Sequence, residues 1–292
     1  MTTIKRKTTI SFEFFPPKHV EREKIFWEKF FDLTPFQPDF VSITYGAGGG
    51  DRGRTRQLVV DVARKSDLPT VAHVTCVGDS LERLTELLDF YQENGIKQIL
   101  ALRGDQPRES APGALARGDF DHADAFVAFI RKRYPSFRIG VAAYPEGHPE
   151  SPNRAVDLDF FRRKVDAGAD FAVTQFFFNN QDYFRFVEDL DRLGVRIPVL
   201  AGIMPVTDFQ QIIKLSKLCG SALPGWLTAL MEKQKDNPAQ MTFAGIQVAV
   251  AQCRELLAQE VAGLHFFTLN QSAPVAHILK TLHLDPNASH GT

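Results

Sequence analysis

Along this chain, short runs of apolar and β-branched residues alternate with longer stretches in which apolar positions recur every three or four residues. The short runs read as strands: Thr9–Phe14, Asp39–Thr44, Thr70–Cys76, Gln98–Leu102, Arg138–Tyr144, Phe171–Phe176, Pro198–Ile203 and Leu264–Leu269, each bordered by Pro, Gly or Asp. Helical periodicity fills the intervals. Leu81, Leu84, Leu87, Leu88 and Tyr91 share one face, with Ser80 placed to cap it. The segment from Ala155 to Ala167 repeats that pattern, and Gly168 sits where such a helix would stop. Eight β–α alternations predict an α/β fold, a parallel sheet closed into a (β/α)8 TIM barrel. The interval between the seventh and eighth strands is long, with helical patterns over Asp208–Cys219, around Trp226–Lys235 and over Ala239–Gln259. These read as extra helices on a single catalytic barrel domain over 1–292, with 285–292 as a disordered tail.

Composition narrows the class without changing the fold. Of 292 residues, 34 are Lys or Arg and 35 are Asp or Glu, so the net charge of −1 argues against a dedicated nucleic-acid binder. No stretch approaches the ~20 apolar residues of a membrane helix, and no apolar run follows the basic start as in a secretory signal. Cys76, Cys219 and Cys253 are widely spaced and form no metal-ligand motif, which suggests reduced thiols in a cytoplasmic protein and no metal site.

Strand parity then sorts the polar residues. In Ile10-Ser11-Phe12-Glu13-Phe14 the large apolar residues share one face, which outer helices would cover, so Ser11 and Glu13 point into the barrel. The same rule turns Ser42, Thr44, His73 and Thr75 inward. Arg103, Asp105, Tyr144, Gln175 and Asn270 fall at or just after strand ends, where catalytic groups of such barrels gather. Each has a plain reading as well. Glu13 could pair with a Lys or Arg, although the run Phe12, Phe14, Phe15, Pro16 and Pro17 would favour its protonated form and suit a general acid. Asp105 could cap a loop, His73 could be a core histidine, and Phe176-Phe177-Phe178 reads as core. Gly48, Gly50 and Gly53 spell GxGxxG, but no acidic residue ends the next strand, so this Arg-rich stretch (Arg52, Arg54, Arg56) reads as a loop over the barrel mouth. Asp157, Arg163 and Lys164, with His148 upstream, would hold phosphates or form a solvated face.

Six motifs in order carry a resemblance. Ser11-Phe12-Glu13-Phe14-Phe15-Pro16-Pro17, Thr44-Tyr45-Gly46, Ala101-Leu102-Arg103-Gly104-Asp105, Ala142-Ala143-Tyr144-Pro145-Glu146-Gly147-His148, Lys164-Val165-Asp166-Ala167-Gly168-Ala169 and Thr174-Gln175-Phe176-Phe177-Phe178 resemble methylenetetrahydrofolate reductases of the bacterial type. The resemblance implies an enzyme that passes hydride from NADH or NADPH to bound FAD, then to 5,10-methylenetetrahydrofolate, in ping-pong fashion, giving 5-methyltetrahydrofolate. It implies that Glu13 is the general acid opening the folate ring to an iminium, and that Asp105 lies beside the flavin and the pterin. It assigns FAD to Tyr45, His73, Arg103, Gly104, Asp105, Ala123, Tyr144, His148, Asp157, Arg163 and Lys164. It assigns the nicotinamide to Thr44 and Gln175, and the folate to Asp105, Gln175, Gln211 and Gln271. Leu215 and Gln271 depart from the family pattern, as does the stretch 106–118; a neutral Gln271 cannot pair with a glutamate tail as Arg would. A homo-oligomer follows from the family, and S-adenosylmethionine inhibition is not expected. Two rivals stand beside this reading. A Lys-dependent aldolase would need an inward strand lysine, which these strands lack; a non-catalytic flavin- or folate-binding barrel would leave Glu13 without a task.

Overall fold

The computed structural model of the chain describes residues 8–45, 52–104 and 118–285. Eight parallel strands, β1 (Thr9–Phe14), β2 (Phe40–Ile43), β3 (Thr70–Thr75), β4 (Gln98–Leu102), β5 (Arg138–Ala143), β6 (Phe171–Thr174), β7 (Val199–Ile203) and β8 (Gly263–Phe267), close a barrel in chain order. All eight expected strands are present, with ends shifted by one or two residues at most. The closing seam pairs β8 with β1, setting Ser11 opposite His265 and Glu13 opposite Phe267.

Helices α1 (Glu23–Phe31), α2 (Arg52–Ser66), α3 (Leu81–Glu93), α4 (Ala123–Arg133), α5 (Arg154–Asp166) and α6 (Asn180–Arg192) alternate with the strands, and α10 (Ser272–Thr281) follows β8. Ser80 caps α3 by accepting from the Arg83 amide at 3.3 Å, and Gly168, at φ 114°, follows the end of α5. Residues 46–51 lie outside the described residues. Arg54 and Arg56 correct the loop reading of that stretch. They belong to the first turns of α2, whose buried Leu58, Val59 and Val62 anchor it, and the Arg56 guanidinium lies 4.8 Å over the Phe90 ring.

Parity divides the core as the alternation demands. Phe40, Val71, Leu100, Phe171, Val173 and Leu200 fill the barrel interior, while Phe12, Phe14, Val41 and Ile43 pack outward against helices. Phe14, for example, meets Phe26 at 5.9 Å and Phe30 at 5.1 Å between ring centres. No helix among the described residues is long and apolar enough to cross a membrane.

Between β7 and β8 lie α7 (Phe209–Cys219), α8 (Gly225–Glu232) and α9 (Pro238–Ala258). With the segments after β6 and β7 they enclose a second core of Phe176, Phe178, Met204, Val206, Phe209, Ile212, Leu227 and Met231. Polar staples fix α9. Gln252 donates to the Phe177 carbonyl at 2.8 Å, and Asn180 donates to the Gln252 carbonyl at 3.1 Å and to Glu255 at 2.7 Å. Gly245 lets the helix lie directly on the Val206 carbonyl, where a β-carbon would collide. Gly245→Ala should therefore cost about 1–3 kcal/mol by overpacking, read as a lower urea midpoint at unchanged m-value.

Candidate active site

At the C-terminal end of the barrel, Glu13 is 6% exposed, and its Oε2 lies 3.5 Å from Nε2 of both His73 on β3 and His265 on β8. The carboxyl therefore sits between two imidazoles. This corrects the apolar setting expected for it, because Phe12 and Phe14 share the opposite strand face and pack among the outer helices. Burial holds the His73 imidazole down at about 4, against the pull of Glu13, so at neutral pH it brings no positive charge to the carboxyl. His265 also bonds through Nδ1 to Ser11 Oγ at 2.8 Å. It was absent from the sequence-based candidates, although parity on Leu264-His265-Phe266 turns it inward as surely as His73.

The backbone of Glu13 is clasped by the turn after β8. Thr268 donates its hydroxyl to the Glu13 carbonyl at 2.6 Å, and its amide donates to the same oxygen at 3.2 Å. Asn270 accepts from the Phe15 amide at 2.9 Å and donates to the Phe15 carbonyl at 2.8 Å. Leu269 and Asn270 both take left-handed conformations, φ 49° and 56°, to make this turn. Such backbone is costly for non-glycine residues and persists where its surroundings hold it. Asn270 is thus a clamp between two loops. Gln271, exposed at the start of α10, and Gln211, exposed in the first turn of α7, stand on separate elements.

A second polar group gathers around β4, β5 and α5. Arg103 grips Glu150 through both terminal guanidinium nitrogens, at 2.5 and 2.9 Å. His148 meets Tyr144 edge-on at 4.6 Å, and its Nδ1 accepts from the Glu150 amide at 3.1 Å. That bond leaves Nε2 as the proton-bearing nitrogen of the neutral ring. Burial, with Arg103 nearby, lowers the His148 pKa. Lys164 turns its Nζ to the Ala142 carbonyl at 2.6 Å, and burial lowers its pKa to about 8 despite Asp157 and Asp124. Asp157, buried in the first turn of α5, accepts from Ser151 at 2.9 Å. Arg163 is engaged elsewhere: it is exposed, paired with Asp159 at 2.9 Å on its own helix, and lies 5.2 Å from the Phe160 ring.

The remaining candidates are spread around the mouth. Thr44 is buried just after β2, with Tyr45 beside it. Gly104 has φ 87° and abuts Thr75, and Ala123 opens α4. Gln175 follows β6 with its side-chain oxygen accepting from the Phe176 amide at 3.0 Å. Asp105 and residues 106–117 lie outside the described residues. The glutamate in the fifth-strand motif, Glu146, also bears on the mouth: its carboxylate accepts the Ala222 amide, with both oxygens at 3.2 Å, tying the β5–α5 loop to the α7–α8 segment.

Comparison with known proteins gives the lineage of this geometry. The family model for methylenetetrahydrofolate reductase matches residues 1–283. A 5,10-methylenetetrahydrofolate reductase of Pectobacterium carotovorum is 34% identical over 289 residues, covering 99% of this chain and 95% of that one. An Arabidopsis thaliana methylenetetrahydrofolate reductase (NADH) is 35% identical over 288 residues, covering 95% of this chain and 49% of that protein. Among solved structures, a Clostridium thermocellum protein described as binding two copies of 5-methyl-5,6,7,8-tetrahydrofolic acid shares the fold at a TM-score of 0.67. It is 12% identical, with 96% of each chain covered.

Burial raises the Glu146 pKa from 4.5 to about 7 against the opposing Ala222 bond, with Asp182 adding to the rise. Between those values the folded protein holds more protons than the unfolded chain, so this group makes stability fall as pH rises and then level off. Glu146→Gln removes the dependence. Melting temperatures should show the variant gaining on the parent from about pH 5 to about pH 7, with a constant difference above that.

Proposed function

The chain belongs to the methylenetetrahydrofolate reductase family, and from that premise we propose that it reduces 5,10-methylenetetrahydrofolate to 5-methyltetrahydrofolate with electrons from NADH, using FAD as the bound carrier. The observation that carries the proposal is the Glu13 carboxyl, buried at the barrel mouth between His73 and His265. A non-catalytic binding barrel has no use for such a group, because burying a carboxyl is costly.

The donor set around β4, β5 and α5 fits FAD. Arg103 and Lys164 supply cations for a diphosphate, His148 supplies an N–H donor, and the Asp157 carboxylate can accept from ribose hydroxyls. Tyr45 and Tyr144 offer ring faces and hydroxyls. Arg163 would have to leave Asp159 to join them. When bound, FAD supplies a two-electron carrier that accepts hydride from the nicotinamide and delivers it to the folate, which makes the kinetics ping-pong.

The protein's own contribution is to place and hold a proton. Glu13 in its acid form donates to the folate nitrogen as the ring C–N bond breaks, leaving an iminium carbon on the folate to take the hydride. Neutral His73 allows this, since an imidazolium beside the carboxyl would favour its ionised form. Thr268 and Asn270 hold the backbone, so the acid is fixed before substrate arrives. Gln175, Thr44 and Gln211 would meet the ligands in turn on the same side of the flavin. NADH is the co-substrate we propose, in keeping with the name of the Arabidopsis relative.

Stopped-flow measurement of the two half-reactions tests the acid directly. Glu13→Gln should keep FAD and its reduction by NADH, while reoxidation by methylenetetrahydrofolate falls about 100- to 10,000-fold, the span typical of a lost general acid. Normal folate turnover in that variant would remove Glu13 from the role.

A further inference from the structure

We propose that His265 and Ser11 form a tautomer-switching cradle that serves Glu13 in both of its protonation states, an inference that rests on the general-acid reading above. His265 is fully buried, and its Nε2 has no hydrogen-bond partner among the described residues, although Glu13 Oε2 lies 3.5 Å away. Buried ring nitrogens are seldom left in that condition. A carboxyl that changes its protonation supplies the reason, because one fixed donor or acceptor would suit only half of its cycle.

A ring carrying one proton presents one donor and one acceptor. With Glu13 in its acid form, the carboxyl O–H donates to Nε2. The ring proton then sits on Nδ1 and is donated to Ser11 Oγ, 2.8 Å away, while the serine hydrogen turns toward the Leu264 carbonyl at 3.5 Å. With Glu13 ionised, Nε2 carries the ring proton and donates it to the carboxylate, and Ser11 reverses to donate to Nδ1. A hydroxyl is the smallest side-chain group that can do both. After the acid gives its proton to substrate, the charge left behind still has a donor, which limits the cost of a buried carboxylate.

The ring cannot obtain the same result by turning over. Phe40 stacks against it at 5.9 Å and 27°, and Phe267 meets it edge-on at 5.4 Å and 88°. Among the described residues, the side chains around Glu13 are Ser11 on its own strand, Ser42 on β2, His73 on β3 and His265 on β8. Of these, His73 is the other titratable group, and it stays neutral until about pH 4. His265 is therefore a positioning residue that acts through Glu13.

The test is ring nitrogen NMR of the FAD-loaded protein labelled with [15N]histidine, with the His265 signals identified by their loss in His265→Gln. The expected result is an Nδ1-protonated ring at low pH and an Nε2-protonated ring at high pH, with the switch abolished in Glu13→Gln. His265→Phe keeps a flat aromatic ring, somewhat larger, without the nitrogens. It should slow reoxidation by the folate about 10- to 100-fold, leaving reduction by NADH intact. His265→Gln, whose amide can donate or accept, should recover most of that loss. A single tautomer across the pH range, or equal losses of both half-reactions in His265→Phe, would overturn the cradle. The NMR measurement needs no folate. A switching ring in a protein that fails to reduce the folate would uphold the cradle and reject the reductase reading.

Discussion

The structure turns on the seam between the first and last strands. Pairing β8 with β1 brings residues some 250 positions apart into contact and buries a carboxyl where they meet. Burial of Glu13 requires polar partners, and the fold draws them from two sides: His73 from β3 and His265 from β8. The same closure supplies Thr268 and Asn270, which bind the backbone of Glu13 and Phe15. Barrel closure and construction of the acid site are one event, so loosening the seam would disturb both.

The helices inserted after β7 divide the mouth unequally. On the β6–β7 side, α7 to α9 raise an apolar core above the barrel and hold it with Gln252, Asn180 and the Gly245 contact. On the β4–β5 side, charge replaces apolar packing, in Arg103 with Glu150, Lys164 with the β5 carbonyl, and Asp157 with Ser151. Glu146 joins the sides through Ala222.

Strand alternation made the barrel legible, because a buried parallel strand is a short apolar run and its parity decides which side chain faces the interior. Glu13, Ser11 and His73 were found that way. Parity alone turns His265 inward as well, but it lies in the middle of β8, where no motif or neighbouring polar residue in the sequence marks it. The expected apolar setting of Glu13 failed for a related reason: neighbours in sequence along a strand point to opposite faces, so Phe12 and Phe14 describe the outer core and not the carboxyl's surroundings. Asn270 was legible as a polar residue at the mouth but not as a clamp, since its partner Phe15 is brought to it only by closure. Arg54 and Arg56 read as loop because glycines precede them, yet the apolar spacing from Leu58 onward carries α2 back to Arg52.

The most direct test of the account is an anaerobic visible spectrum of the purified protein, with NADH and then methylenetetrahydrofolate added. The account predicts a yellow protein that bleaches with NADH and regains its colour with the folate, since one bound carrier must serve both reactions. A colourless protein that FAD cannot reconstitute, or a bleached one that the folate leaves bleached, would contradict it.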